Sequence, residues 1–187
     1  MGRPGSRPAE LALPVASLAA IRQSLTQEIG ADAAASALRA AGYAAGDALY
    51  IALTQPFAMS GQSGADPIAN LPADAFWRRL SQLFSTRGWG TLSHSAAHPG
   101  VGALDSTNWV EAVPESEPRP SCFFTTGLLA NLLGRAAGEH LAVLEVECRS
   151  AGHAHCRFLF GAPATLEALY GRLRTGEPVD RSIAALV

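Results

Sequence analysis

Cys122, Cys148 and Cys156 all fall within "SCFFTTGLLANLLGRAAGEHLAVLEVECRSAGHAHC", residues 121–156, beside Glu145, Glu147, His153 and His155. If Cys148 and Cys156 face each other across a turn near Gly152, their Cβ atoms stand about 4.5–5.5 Å apart. Two thiolates at that separation can share one tetrahedral zinc, whose bonds to sulfur are about 2.3 Å. Cys122 opens an apolar, helix-like run, where the helix dipole and free N–H groups favour a thiolate. A third soft ligand can therefore come from a helix end. For the fourth, spacing does not rank Glu145, Glu147, His153 and His155. Strict strand alternation puts Glu145 and Glu147 on one face and Cys148 on the other, so Glu145 can join only through a bulge. Two other readings stand beside the metal site. The thiols can be inert core residues, or Cys148 and Cys156 can form a disulfide that leaves Cys122 idle.

These residues must be positioned by the elements around them. Leu18, Ile21, Leu25 and Ile29 recur at helical spacing, with Gly30 as the stop. "ADAAASALRAAG" reads as a second helix capped by Gly42, and "AAGDALYIALTQPF" as a third. "AMSGQSGADPIANLP" reads as a loop. Asp74 is placed to cap "AFWRRLSQLFSTRG", with Phe76, Leu80, Leu83 and Phe84 as its stripe. "WGTLSHSA" and "STNWVEAVPE" read as strands about the turn "HPGVGA". "CFFTTGLLANLLGRAAG" is then a helix, "LAVLEVEC" and "HCRFLFG" a strand pair about "RSAGHA", and "PATLEALYGRLRTG" a closing helix with Pro163 in its first turn. Short turns between strands predict an α+β fold: an antiparallel sheet of about four strands with helices packed on one face. Residues 1–14 read as a flexible lead and 15–187 as one domain.

Composition narrows the function. The chain is 48% hydrophobic and 16% charged with a net charge of −2, which fits a compact globule. All fourteen basic residues are scattered arginines, so no basic stripe for direct nucleic-acid binding is present. No apolar run is long enough to span a membrane. Pro8, Glu10 and Pro14 interrupt the N-terminal apolar stretch, which argues against a signal peptide. With an odd cysteine count, the expected location is the cytoplasm. Neither GxGxxG, GxxxxGK[ST] nor GxSxG occurs.

The segment "CFFTTGLLANLLGRAAGEHLAVLEVECRSAGHAHCRF" resembles the signature half of the 4-vinyl reductase domain family. The shared pattern is a cysteine-led helix carrying Gly127 and Gly134, a strand ending E-x-x-C, a glycine-containing turn and C-x-F. The likeness is good from Cys122 to Phe160 and weaker from about residue 30. It implies the α+β fold shared with transport-particle (TRAPP) subunits. It also implies a structural zinc on three cysteines and a glutamate, as in the aromatic-compound sensors that carry this domain. Position by position those ligands fall on Cys122, Glu145, Cys148 and Cys156. With every position filled by protein, such a zinc staples the fold and supplies no open site.

The resemblance further implies an apolar pocket between sheet and helices. Phe76, Trp77, Phe84, Trp89, Trp109, Phe123 and Phe124 are candidate walls, although most such rings are ordinary core. Trp109, Trp89 and Phe123 are the pocket candidates, with His94 as a polar handle if it is not simply an exposed strand histidine. Val101 stands where the phenol sensors place a ligand-facing tryptophan, which separates this chain from them. The expected function is a zinc-stapled sensor or carrier module for a small hydrophobic or aromatic ligand, with a homodimer or a protein partner downstream. The alternative is an enzyme or accessory protein that reduces or delivers a vinyl-bearing (bacterio)chlorophyll precursor. Reduction needs a hydride or electron source, and no nucleotide fingerprint or cluster-type cysteine set is present. No catalytic residue is therefore assigned. A structural assembly role rests on fold analogy alone.

Overall fold

The computed structural model describes residues 10–58, 68 and 71–186. The order is α1 (Val15–Ile29), α2 (Ala31–Ala58), α3 (Ala73–Ser85), β1 (Ser93–His98), β2 (Val101–Ser106), α4 (Phe123–Ala137), β3 (Ala142–Glu147), β4 (Cys156–Gly161), α5 (Pro163–Arg174) and α6 (Val179–Ala184). The strands form one antiparallel sheet ordered β1-β2-β4-β3. This is the expected α+β architecture, and the sheet sits between two helical layers. Leu104, Phe158 and Val143 face α2, α3 and α4 in the main core. Val101, Ala103 and Leu159, of opposite parity, pack against Leu166, Leu169 and Ile183 of α5 and α6. The helices thus cover the second face as well, and α6 lies beyond the expected elements.

Several boundaries differ from the sequence reading for identifiable reasons. The second and third helices are one, because Gly42 ends nothing. A Cβ on Gly42 would overlap the Phe124 carbonyl, and one on Gly127 would overlap the Arg39 carbonyl. These glycines let α2 and α4 touch backbone to backbone. In place of Asp74, Pro72 is the N-cap of α3; Asp74 lies in the first turn and pairs with Arg78. The second strand is "VGALDS", not "STNWVEAVPE". Gly102 fits it because the Phe160 ring occupies the space where a Cβ would stand. Trp109 consequently lies in the loop after β2. Most of the expected loop at 58–72 lies outside the described residues.

Of the α1 stripe, Leu18 and Leu25 are half-buried, whereas Ile21 and Ile29 are exposed. Arg22 is the buried residue of this helix. It donates to the Ser121 hydroxyl at 2.9 Å and pairs with Glu117 at 3.0 Å, holding α1 to the loop that leads into Cys122.

Candidate metal centre

Three elements bring the thiols together. Cys122 is the N-cap residue of α4, Cys148 follows β3, and Cys156 opens β4. In the β3–β4 ladder Glu145 lies opposite Phe158 and Glu147 opposite Arg157, so the register shifts by one at Val146. Without that bulge, residues 145 and 148 would point to opposite faces. With it, Glu145 and Cys148 both reach the main core face, which carries Phe158 and Cys156. The distortion that strand parity demanded is present, where it was demanded.

The donor atoms of Cys122, Glu145, Cys148 and Cys156 all lie within 4.8 Å of one another, and all four residues are buried. The Cys122 and Cys148 sulfurs are 3.7 Å apart, and all three thiols are free. A tetrahedral zinc with bonds of about 2.3 Å sets its sulfurs about 3.8 Å apart. A disulfide needs about 2.05 Å. One oxygen of Glu145, Oε2, accepts the Cys122 backbone N–H at 2.8 Å. The other, Oε1, is buried without a hydrogen-bond partner among the described residues. Such an orphaned acceptor carries a real desolvation cost, which a cation would remove. The donor set and its spacing therefore fit a thiophilic divalent metal.

The electrostatics point the same way. Burial, and then the charge on Cys148, push the Glu145 carboxyl up to about 9. Cys148 is drawn down because Cys122 and Cys156 both hydrogen-bond its sulfur, and the Cys122 thiol is pushed up by the same contacts. The expected thiolate thus shifts from Cys122 to Cys148. The N–H groups at the start of α4 explain part of this, since carboxylates already take them. Among the protein groups alone the cluster tolerates one negative charge.

The rival fourth ligands are occupied elsewhere. His153 Nδ1 accepts the Cys148 backbone N–H at 3.3 Å, bracing the hairpin turn. His155 Nε2 lies 3.2 Å from Glu147 and 3.4 Å from Asp105. Arg157 holds Asp105 at 2.8 Å. This charged group borders a polar cleft of about 370 Å³ lined by Thr91, Ser93, Asp105, Thr107, His155 and Arg157 among others.

The four pocket candidates do not converge. Trp109 is 1% exposed, and its ring lies 5.2 Å from Phe84, 6.1 Å from Trp89 and 6.1 Å from Phe158. Trp89 also approaches Phe124, at 5.9 Å. His94 instead stacks on Trp77 at 3.9 Å on the exposed side of β1, and burial pulls its pKa down. Phe123 lies under the Arg39 guanidinium, 4.9 Å away. None of the four lines the polar cleft.

Sequence reasoning missed Glu111. Its carboxylate accepts the backbone N–H groups of Phe124 at 3.0 Å and Thr125 at 2.8 Å, and the Thr125 hydroxyl at 2.5 Å. Burial raises its pKa to about 7 despite those bonds. A lone glutamate two residues after a tryptophan carries no spacing signal. Only the tertiary fold reveals it as a cap for a helix beginning at residue 123.

A family model of the 4-vinyl reductase domain matches residues 108–162. The phenol-responsive sensory domain of the transcription activator PoxR, solved with phenol, aligns over 90% of this chain and 84% of its own. The TM-score is 0.63 at 18% identity, a likeness of fold. A vinyl-4-reductase family protein from Methanocaldococcus jannaschii shares 24% identity over 44% of this chain and 55% of its own, with a TM-score of 0.38. No curated protein matches the sequence. The family match takes in Glu111, the three cysteines and Glu145, and it contains the whole segment from Cys122 to Phe160: this is a chain with a 4-vinyl reductase domain.

Proposed function

We propose that this protein is a ligand-sensing or ligand-carrying module of the 4-vinyl reductase type, stapled by a structural zinc on Cys122, Glu145, Cys148 and Cys156. The observation that carries the zinc is the four-residue cluster, with its 3.7 Å sulfur spacing and the unpartnered Glu145 Oε1. Bound there, zinc would supply folding energy and neutralise the buried thiolates; the protein's part is to bring α4, β3 and β4 to one point. The ligand reading is supported by the fold shared with a phenol-responsive sensory domain and by the rings gathered around Trp109. A small aromatic or hydrophobic molecule is the class those rings would accept.

Two measurements test this. Elemental analysis of the purified chain is expected to find about one zinc per protein, the stoichiometry of a single closed site. Titration calorimetry with phenol and with a vinyl-bearing tetrapyrrole should then give saturable binding to at least one. Heat from neither would end the ligand reading. Product formation from the tetrapyrrole with a nicotinamide donor would replace it with the enzymatic one.

The module is further proposed to pair with a second copy through α1 and α2. Val15, Ile21, Ile29, Tyr43 and Ile51 are 42–55% exposed along these helices, an apolar surface that a partner helix would bury. Light scattering should give a mass near twice 19.4 kDa, and a monomer at micromolar concentration would rule the dimer out.

A further inference from the structure

A single chain of hydrogen bonds runs from the aromatic cluster to the thiol cluster. It begins at the Trp109 indole, which donates from Nε1 to the Thr125 hydroxyl at 2.7 Å. An indole nitrogen can only donate, so the hydroxyl must accept there and spend its one proton elsewhere. That proton goes to Glu111 Oε2 at 2.5 Å. The two Glu111 oxygens also take the N–H groups of Phe124 and Thr125, two of the orphan donors in the first turn of α4. Glu145 takes the N–H of Cys122 itself. The turn that presents Cys122 is thus clamped from two sides, by Glu111 in the loop after β2 and by Glu145 in β3. Trp109, Thr125 and Glu111 are 1%, 0% and 5% exposed, so water cannot replace a lost partner without rearrangement.

We propose that the Trp109–Thr125–Glu111 chain couples the two clusters, with Glu111 a positioning residue for Cys122, so that a ligand displacing the Trp109 ring loosens the hold on the metal. The coupling rests on the reading that the four-residue cluster binds zinc. It goes further by giving the aromatic cluster a physical route to the metal. The Trp109 ring touches Phe84, Trp89 and Phe158, so a molecule inserted among those rings moves the indole N–H. Thr125 then loses its donor, the hydroxyl is free to turn from Glu111, and the carboxylate is no longer fixed against the first turn. A thiolate site with sulfur spacing of 3.7 Å tolerates little drift in one ligand, and partners one shell out from a metal govern its affinity about 10- to 100-fold.

The test uses the full chain loaded with zinc and the rate of zinc release to a chromophoric chelator. Trp109→Phe, Thr125→Val and Glu111→Gln are expected to release zinc at least about 10-fold faster than wild type. Thr125→Ser, which keeps the hydroxyl, should restore the wild-type rate. Leu166→Ala, a core truncation on the α5 face, should stay within about twofold of wild type, because destabilisation far from the chain leaves this turn in place. A second readout is the indole N–H resonance of Trp109, assigned by its loss in Trp109→Phe. It should shift when cadmium replaces zinc in wild type, and stay fixed in Thr125→Val carrying either metal. Unchanged release in the three variants, equally fast release in Leu166→Ala, or an unmoved indole resonance in wild type would each overturn the coupling while zinc binding stands. A wild-type chain that takes up no zinc would instead remove the metal reading and the coupling with it.

Discussion

The residue that separates a metal centre from three core thiols is Glu145. An inert thiol cluster has no use for a buried carboxylate with one unpartnered oxygen, and a disulfide would draw two sulfurs far closer than 3.7 Å. Cys148→Ser is expected to lose the metal and to destabilise the fold by several kcal/mol, since structural zinc supplies on the order of 10 kcal/mol of binding energy. Glu147→Gln, one strand position past the bulge, should keep the metal; equal loss in both, read by elemental analysis, would argue against the assigned ligand set. Glu111 makes a separate prediction through pH. Its folded pKa is raised to about 7 from an ordinary 4.5, so the folded state binds the proton more tightly than the unfolded chain. The burial penalty is absent below about pH 4.5 and fully present above about 7, and stability attributable to this group falls as pH rises through that window. The difference in unfolding free energy between wild type and Glu111→Gln should therefore move against wild type by up to about 3 kcal/mol across it. A pH-independent difference in denaturant titrations would show that the amide and the acid are held alike. Of these residues, the three cysteines were legible from type and spacing. Glu145 became legible only through family resemblance, because its place depends on a bulge. Glu111 was not legible, since its partners are backbone groups of a helix that begins twelve residues later.

At the scale of elements, periodicity located most helices and the second hairpin, and it failed where glycine has two meanings. Gly42 read as a stop because glycine ends helices, yet here it permits contact between α2 and α4. The two effects are separable by magnitude. In an open helix, Gly→Ala stabilises by about 1 kcal/mol through propensity, whereas forcing a methyl group into packed backbone costs about 1–3 kcal/mol or more. Gly127→Ala, whose new Cβ would overlap the Arg39 carbonyl, is expected to destabilise the protein. Gly171→Ala on α5, with nothing within 4 Å, should stabilise it. Thermal unfolding distinguishes the two, and a gain in Tm for both would mean that α2 and α4 can separate at little cost. The first hairpin was misplaced for a different reason. "VGALDS" is small and lacks the β-branched and aromatic residues that announce a strand, and its place is set by Phe160 packing over Gly102 from the next strand but one in sequence.

At the scale of the whole molecule, the sheet has to satisfy two cores through one hairpin. β4 sends Phe158 to the main core and Leu159 to the α5–α6 core. The cluster of cysteines lies where β3, β4 and α4 meet, so it binds the helical layer to the sheet at a single point. The order of unfolding follows from that placement. Removing the metal leaves buried sulfurs and a buried carboxylate whose charges repel, and the nearby backbone has few long-range bonds to spare: Glu115 and Glu117 donate to Arg149 and Ser150, and little else ties the loop to the turn. Loss of metal should therefore open residues 111–126 and 145–157 first, while α5, seated on Leu159 in the other core, stays closed. Hydrogen exchange on chelator-treated protein tests this directly. Protection should collapse in those two segments and persist at Leu166 and Leu169. Uniform loss across both faces would mean that the metal supports the entire fold, and unchanged protection would mean that the four residues hold the point together without one.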